Sequence, residues 1–462
     1  MHDTILDKAT GATLGEVTLD DAASADRTIA TADAAFRSGP WRYDANLRQV
    51  ALAGWADELE RHGDELAAII RGETGKVRRE CDREVAMAID ALRFNSGAAR
   101  SVAGTAHELP DGSAGHLVRV PVGPAAFVTP WNWPLFLLLR DMAPALAAGV
   151  TAVIKPAPLT PLATARAIEL AGGHVPAGVL NMVRGGADIG QLLSSDERLK
   201  VVAFTGSTQV GRDVARTVSG RLGRPFLELG GKGVSVLHDD ADLDAAIDTI
   251  LTFGFITAGQ MCMANSRVLA HRSVADEVRD RLVDRVSRLV VGHPDDPAVD
   301  TGAIVSTTQA EKIRGYLEIA RNDGTLLVGG EQPGGLDLPG EFITPALVAG
   351  DQIDTRLLKE EIFGPVVTLE TFDSDADAVR MANDTDYGLA AAVWTNDLRR
   401  AWQSARALDF GTVWLNRYNR TFSEVPSGGM KASGVGRTRG FDGIHEFMEL
   451  KHINFDVGHL AV

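Results

Sequence analysis

Apolar and polar positions follow two rhythms along this chain. Between residues 20 and 101 the rhythm is helical. In ANLRQVALAGWADELERHGDELAAIIRG, Leu47, Val50, Leu52, Trp55 and Leu59 recur at roughly helical spacing, and Leu66, Ile69 and Ile70 continue the pattern. Residues 103–121 break it. Glycine, proline and polar residues interrupt a weak period of two, which predicts an extended excursion or hairpin. From residue 125, short apolar runs alternate with helical stretches. AAFVTP (125–130), TAVIKP (151–156), VLNMV (179–183) and VVAFTG (201–206) read as strands. Strand, helix, strand in this order predicts right-handed crossovers and a parallel sheet covered on both faces.

PFLELGG (225–231) reads as a further strand ending in a glycine pair. A second α/β block follows it. SVADEVRDRLVDRVSRL (273–289) and AEKIRGYLEIA (310–320) are helical in pattern, and PVVTLE (365–370) and GTVWLN (411–416) extended. The fold class is therefore α/β, with two parallel-sheet domains that divide near residue 230. KHINFDV (451–457) has the composition of a terminal strand, one that reaches back to the 103–121 excursion or onto a neighbouring subunit.

Composition narrows the setting. A chain of 462 residues, 45% hydrophobic and 23% charged, suits two or three soluble domains. A formal charge of −16 argues against nucleic acid as a partner, because phosphate binding needs a basic face. The apolar run PLFLLL (134–139) is too short to span a bilayer and runs into Arg140 and Asp141, so no membrane partner is expected. Two cysteines make no disulfide framework, and the opening MHDTILDKATGATLGEV has no basic-then-apolar leader. A reducing cytoplasm is the expected location.

Candidate chemistry gathers in a few stretches, each with a plain structural alternative. FTGSTQVG (204–211) follows a strand and opens a helix. Ser207 there either faces an anion at the helix start or simply caps the helix. AGQMCMANSR (258–267) holds Cys262, a candidate nucleophile or an inert core thiol. PWNWP (130–134) puts Asn132 at a strand's carboxyl end, where open sheets bind ligands, although Asn-x-Pro also caps helices. LELGGK (227–232) puts Glu228 beside flexible glycines, as a base or as an ion-pair partner of Lys232. KEEIFGP (359–365) places Glu360 and Glu361 next to Phe363, on a working site or on a solvated face.

Taken together and in this order, PWNWP, FTGSTQVG, LELGGK, GQMC, EEIFGP and GVGR closely resemble the aldehyde dehydrogenase superfamily. The resemblance extends from about residue 8 to residue 453. It implies a Rossmann-like cofactor-binding domain over 1–102, 122–230 and 429–447, and a catalytic domain over 231–428. It also implies a small β arm, 103–121 with 448–462, that assembles a homodimer or homotetramer. Carried over by motif, Cys262 is the nucleophile, its N–H and the Asn132 amide form the oxyanion hole, and Glu228 is the general base. Lys155, Thr205, Gly206, Ser207, Trp131, Gly230, Glu361 and Phe363 would contact the cofactor. That cofactor is NAD, with NADP tolerated; no metal is implied.

The reaction so implied oxidises an aldehyde to a carboxylic acid through a cysteine thiohemiacetal and thioester. A CoA-acylating relative and a non-catalytic descendant are the alternatives. Glu228 argues against the first, since a thiol acceptor needs no water-activating base. Retention of Cys262, Asn132 and Glu228 together argues against the second. Trp133, Phe136, Leu137, Phe255, Met261, Met263 and Phe422 are the expected pocket wall, which favours an apolar or aromatic aldehyde. Arg140 and Arg417 are the candidates for a carboxylated one. Five positions depart from the usual family pattern. Ala157-Pro158 follows IKP in place of Ser-Glu, Asp141 replaces a lysine, Thr257 an asparagine, and Ser427 a tunnel-side aromatic.

Overall fold

The computed structural model describes residues 2–350 and 353–456. Helices Ala22–Ser38, Ala45–Arg61, Gly63–Thr74 and Arg78–Ala98 account for the helical rhythm of the first hundred residues. One position differs from the pattern. Val50 is exposed and Arg48 is buried. Arg48, Leu52, Trp55 and Leu59 are spaced four, three and four apart, so they form the true inward stripe. Arg48 can join it because its guanidinium donates to the carbonyls of Ala147 (2.9 Å) and Trp41 (2.7 Å).

The first sheet has six strands, in the spatial order Gly434–Val435, Arg224–Glu228, Val201–Thr205, Ala125–Val128, Ala152–Lys155, Leu180–Met182. All neighbours are parallel except the edge strand Gly434–Val435. Ala125, Phe127, Ile154 and Ala203 face one core; Ala126, Val153, Val202 and Phe204 face another. Burial on both faces is why these strands read as continuous apolar runs. The chain runs from Ala125–Val128 outward to one side, then returns to build the other side from Val201–Thr205. That reversal opens a crevice at the carboxyl ends of these two strands, where open α/β sheets bind ligands. PWNWP and FTGSTQVG lie at those two ends.

The second sheet has seven strands in the order Leu326–Val328, Ala346–Ala349, Val366–Phe372, Arg267–His271, Val234–Leu237, Ala390–Trp394, Thr412–Leu415. Only Leu326–Val328 is antiparallel to its neighbour. The 103–121 excursion is a hairpin, Thr105–Glu108 with Ala114–Pro121, and the terminal strand Met448–Phe455 pairs antiparallel with its second arm. Residues 457–462, which the expected arm includes, lie outside the described residues. Among the described residues no helix is long and apolar enough to cross a membrane.

Candidate active site

Cys262 follows an unusual turn. Thr257, Ala258 and Gly259 sit consecutively at φ of 52°, 51° and 71°. Left-handed backbone is costly for the first two, so their surroundings must impose it. Glu80 accepts from the Thr257 N–H (3.0 Å), and Trp133 Nε1 donates to the Thr257 hydroxyl (3.1 Å). The wholly buried Gln260 amide donates to Thr257 O (3.0 Å) and accepts from Val305 N (3.0 Å). Gly259 has no alternative, since a Cβ would lie 2.0 Å from the Gly364 carbonyl. Gly231 is equally constrained by the carbonyl of Cys262, 2.3 Å from where its Cβ would be.

The loop bearing Asn132 is tied to this turn. Asn132 is buried, and its Nδ2 donates to Gln260 O at 2.9 Å. One Nδ2 hydrogen stays available for a ligand. Glu84 holds the other end of the loop by accepting from Leu135 N (2.8 Å) and Phe136 N (3.1 Å), the opening turn of helix Pro134–Ala148. A fully buried ion pair with Lys76 balances Glu84, and the Lys76 ammonium lies 4.1 Å from the Trp133 ring centre. Glu80 and Glu84 are one helical turn apart on Arg78–Ala98. One short stretch of helix thus fixes both loops. These residues were missed in the sequence; their only signal was an acidic i, i+4 pair on the face that buries Cys81 and Val85. Glu84→Gln should destabilise the protein by about 3 kcal/mol, because Lys76 is left as a buried, uncompensated charge. A denaturant midpoint unchanged from wild type would refute this.

Glu228 ends strand Arg224–Glu228 and is 5% exposed. Its Oε1 has no hydrogen-bond partner among the described residues, and its Oε2 lies 3.7 Å from Arg140 Nη1. Burial pushes the Glu228 carboxyl up to about 7; Arg140 opposes this and Asp141 adds to it. Burial works against the Arg140 charge, but Asp141 and Glu228 outweigh it and keep the guanidinium protonated. Arg140 grips Asp141 through two 2.8 Å bonds and donates to Thr205 Oγ1 at 3.0 Å. Glu228 does not pair with Lys232. Lys232 donates instead to the carbonyls of Leu357 (2.7 Å) and Glu360 (3.0 Å).

Two cavities meet at Cys262. The first, about 170 Å³, is lined by Trp131, Asn132, Thr205, Gly206, Ser207, Glu228, Gly230, Cys262, Glu361 and Phe363 among others. Ser207 caps helix Thr208–Gly220, accepting from Val210 N, so its capping and anion-facing positions coincide. Glu361 is half-buried and accepts from Gly231 N at 2.9 Å. Burial pushes its carboxyl up to about 7. It comes so close to Gly230 that a Cβ there would meet Glu361 Oε2 at 2.6 Å. Glu360, by contrast, is exposed. Phe363, at φ 59°, stands edge-on to Trp131 with ring centres 5.3 Å apart. Lys155 is not in this lining; it is buried at the end of Ala152–Lys155, and its ammonium donates to Pro156 O at 3.5 Å.

The second cavity is narrow, about 30 Å³, and also includes Asn132, Leu137 and Cys262. Its other walls are Arg83, Met87, Trp133, Phe136, Arg140, Met261, Met263, Asn419, Thr421 and Arg439. Of the expected pocket wall, Phe255 lines a separate hollow and Phe422 is exposed. Arg417 is also exposed and lines neither cavity. Burial pushes the Cys262 thiol up to about 12; Arg140 opposes this, while Glu361 and Glu228 add to it.

The comparisons with known proteins agree on the family. The sequence model described as "Aldehyde dehydrogenase family" matches residues 3–453. Betaine aldehyde dehydrogenase of Bacillus subtilis is 37% identical over 449 residues, 96% of this chain and 91% of that protein. Non-phosphorylating aspartate-semialdehyde dehydrogenase of Halomonas elongata is 36% identical over 459 residues, 98% and 92% of the two chains. The crystal structure of Staphylococcus aureus betaine aldehyde dehydrogenase in complex with NAD+ superposes with a TM-score of 0.96 at 34% identity. That match covers 100% of this chain and 93% of the other. The chain belongs to the aldehyde dehydrogenase family.

Proposed function

We propose that this enzyme oxidises an aldehyde to its carboxylic acid with NAD, using Cys262 as a covalent nucleophile and Glu228 as the base that hydrolyses the resulting thioester. The observation that carries this reading is the placement of Cys262 and Asn132 at the junction of two cavities, with Glu228 lining one of them. One cavity suits a cofactor, the other a substrate. The larger offers a helix start at Ser207, a close-approach glycine at Gly206 and the Glu361 carboxylate for a ribose, and so fits a dinucleotide. Trp131, Thr205, Gly230 and Phe363 complete its walls, and Lys155 would serve the adenosine end. When bound, the nicotinamide supplies the acceptor for the hydride that the substrate carbon must lose.

The Cys262 thiol gives its proton to solvent water, the thiolate attacks the carbonyl carbon, and the carbonyl π electrons move to oxygen. The Asn132 amide and the Cys262 N–H stabilise that oxyanion as it forms. Glu228, with its carboxyl near 7, is fitted to accept a proton at working pH. It then draws a proton from water as the water attacks the thioester, releasing the acid and returning the sulfur. Asn132→Ala should lose about 3–4 kcal/mol of transition-state stabilisation, which is about 10²–10³-fold in acylation. A single-turnover rate equal to wild type would remove Asn132 from this role.

The two named relatives take betaine aldehyde and aspartate semialdehyde, and similar identity to both does not choose between them. Met87, Trp133, Phe136, Leu137, Met261 and Met263 support a substrate with an apolar or aromatic body. The sheet Arg224–Glu228 through Leu180–Met182 serves as the cofactor part, the seven-stranded sheet as the catalytic part, and the three-stranded sheet as an oligomerisation arm in the cytoplasm. Leu450, Ile453 and Phe455 on the terminal strand are exposed, which supports such an arm. The test is reduced-nicotinamide formation with NAD and NADP over a panel of aldehydes, with and without CoA. Free acid as the product without CoA supports hydrolysis; product only with CoA selects the acylating alternative.

A further inference from the structure

We infer that the substrate carries an anionic group at the end remote from its aldehyde, and that Arg439 is the side chain that binds it. This rests on the proposed aldehyde oxidation and names the substrate class for the same site. Arg439 is 9% exposed and lines the narrow cavity that ends at Cys262. Its Nη1 donates to Ser427 Oγ at 3.1 Å, and its guanidinium lies 5.5 Å from the Phe136 ring centre. Among the described residues no carboxylate stands within ion-pair distance of it. Glu228 and Asp141 act on it only from beyond that distance and also face Arg140, so a ligand anion would give the buried guanidinium a direct partner.

Three further features agree. Arg83, half-buried in the same cavity wall, has no ion-pair partner among the described residues either; its Nη2 donates to Asn419 O at 3.4 Å. Arg140 cannot take the role, since Asp141, Thr205 and Glu228 already occupy it. Finally, Arg439 holds a left-handed φ of 66°, a strained backbone for arginine that the next turns maintain through Gly440 N to Ser423 O (2.9 Å) and Gly443 N to Arg439 O (2.8 Å). Ser427, in place of the usual tunnel-side aromatic, is the residue that aligns the guanidinium. The cavity wall therefore combines apolar side chains with the Arg83 and Arg439 guanidinium groups, which suits an aromatic or aliphatic aldehyde bearing a carboxylate and disfavours one bearing a quaternary ammonium.

The test compares kcat/KM for 4-carboxybenzaldehyde and succinic semialdehyde with benzaldehyde, butanal and betaine aldehyde, in wild type, Arg439→Gln and Arg439→Lys. Wild type should prefer each acid over its neutral counterpart by about 10-fold or more. Arg439→Gln should cut that preference about 10–100-fold, mainly through KM, and Arg439→Lys should restore part of it. Equal losses on acid and neutral substrates would make Arg439 a structural residue and overturn the inference. Neutral aldehydes oxidised with no preference for acids would overturn it too, while leaving the proposed function standing. Terephthalate binding, followed by tryptophan fluorescence, reads the anion site without turnover. Binding to wild type but not to Arg439→Gln would uphold the anion site even if no aldehyde in the panel were oxidised; no binding with no oxidation would sink both.

Discussion

Cys262→Ala should abolish aldehyde oxidation, lowering turnover on the order of 10⁶-fold, the scale seen when a covalent nucleophile is removed. Binding of NAD should change little, because the groups proposed to hold it lie on other elements. The size of the effect follows from the chemistry. An aldehyde cannot readily release hydride from its neutral carbonyl, so without the thiohemiacetal there is no route around the barrier. The resting thiol adds a second expectation. With its ionisation pushed up to about 12 by burial, Cys262 is almost wholly protonated at neutral pH. Alkylation by iodoacetamide in the free enzyme should therefore rise with pH and show no plateau near 8. A plateau there would mean that Arg140 prevails over burial. Retained turnover in Cys262→Ala would remove the covalent mechanism altogether.

The sequence showed the sheets well because a strand buried on both faces is an unbroken apolar run, as in AVIK and VVAF, and little else looks like that. It erred where a polar residue is buried with its hydrogen bonds met. Arg48 took the inward place given to Val50 because three backbone carbonyls receive it. Lys232 turned from Glu228 to carbonyls for the same reason. Asn132, Glu228 and Cys262 stand out in the sequence because each lies in or directly before a glycine- or proline-marked turn. The groups that hold those turns do not stand out. Glu80 and Glu84, the latter balanced by Lys76, act across more than 50 residues of chain, and no local pattern records such contacts. Arg439 was hidden differently. It lies in a glycine-rich segment that distant pairings, among them Gly434–Val435 beside Arg224–Glu228, bring to the site. Of the two arginines the sequence offered for a carboxylate, Arg140 is already paired and Arg417 is exposed.

Glu228→Gln should separate the two halves of the reaction. Attack by Cys262 and loss of hydride need no base at position 228 once the thiolate has formed. The variant should therefore release about one equivalent of reduced nicotinamide per site in a burst, then stall with an acyl group on Cys262 visible by mass spectrometry. Steady-state turnover should fall about 10²–10⁴-fold, the usual worth of a general base. A small thiol or hydroxylamine, which needs no base to attack a thioester, should restore release. In wild type, the pH profile carries the same signature. Burial raises the Glu228 carboxyl to about 7, so it is protonated and inactive below that pH. The rate of thioester hydrolysis should fall roughly tenfold per unit as pH drops below 7 and level off above it, and the Gln variant should lose that limb. Stability provides the control. A carboxyl whose ionisation is raised from 4.5 to about 7 on folding binds its proton more tightly in the native state. Its contribution to stability is present below about 4.5 and is lost as pH rises through 7. Glu228→Gln should thus be at least as stable as wild type at pH 8, so a lost burst there could not be blamed on unfolding. It would instead place Glu228 in acylation, as the base that takes the proton from Cys262.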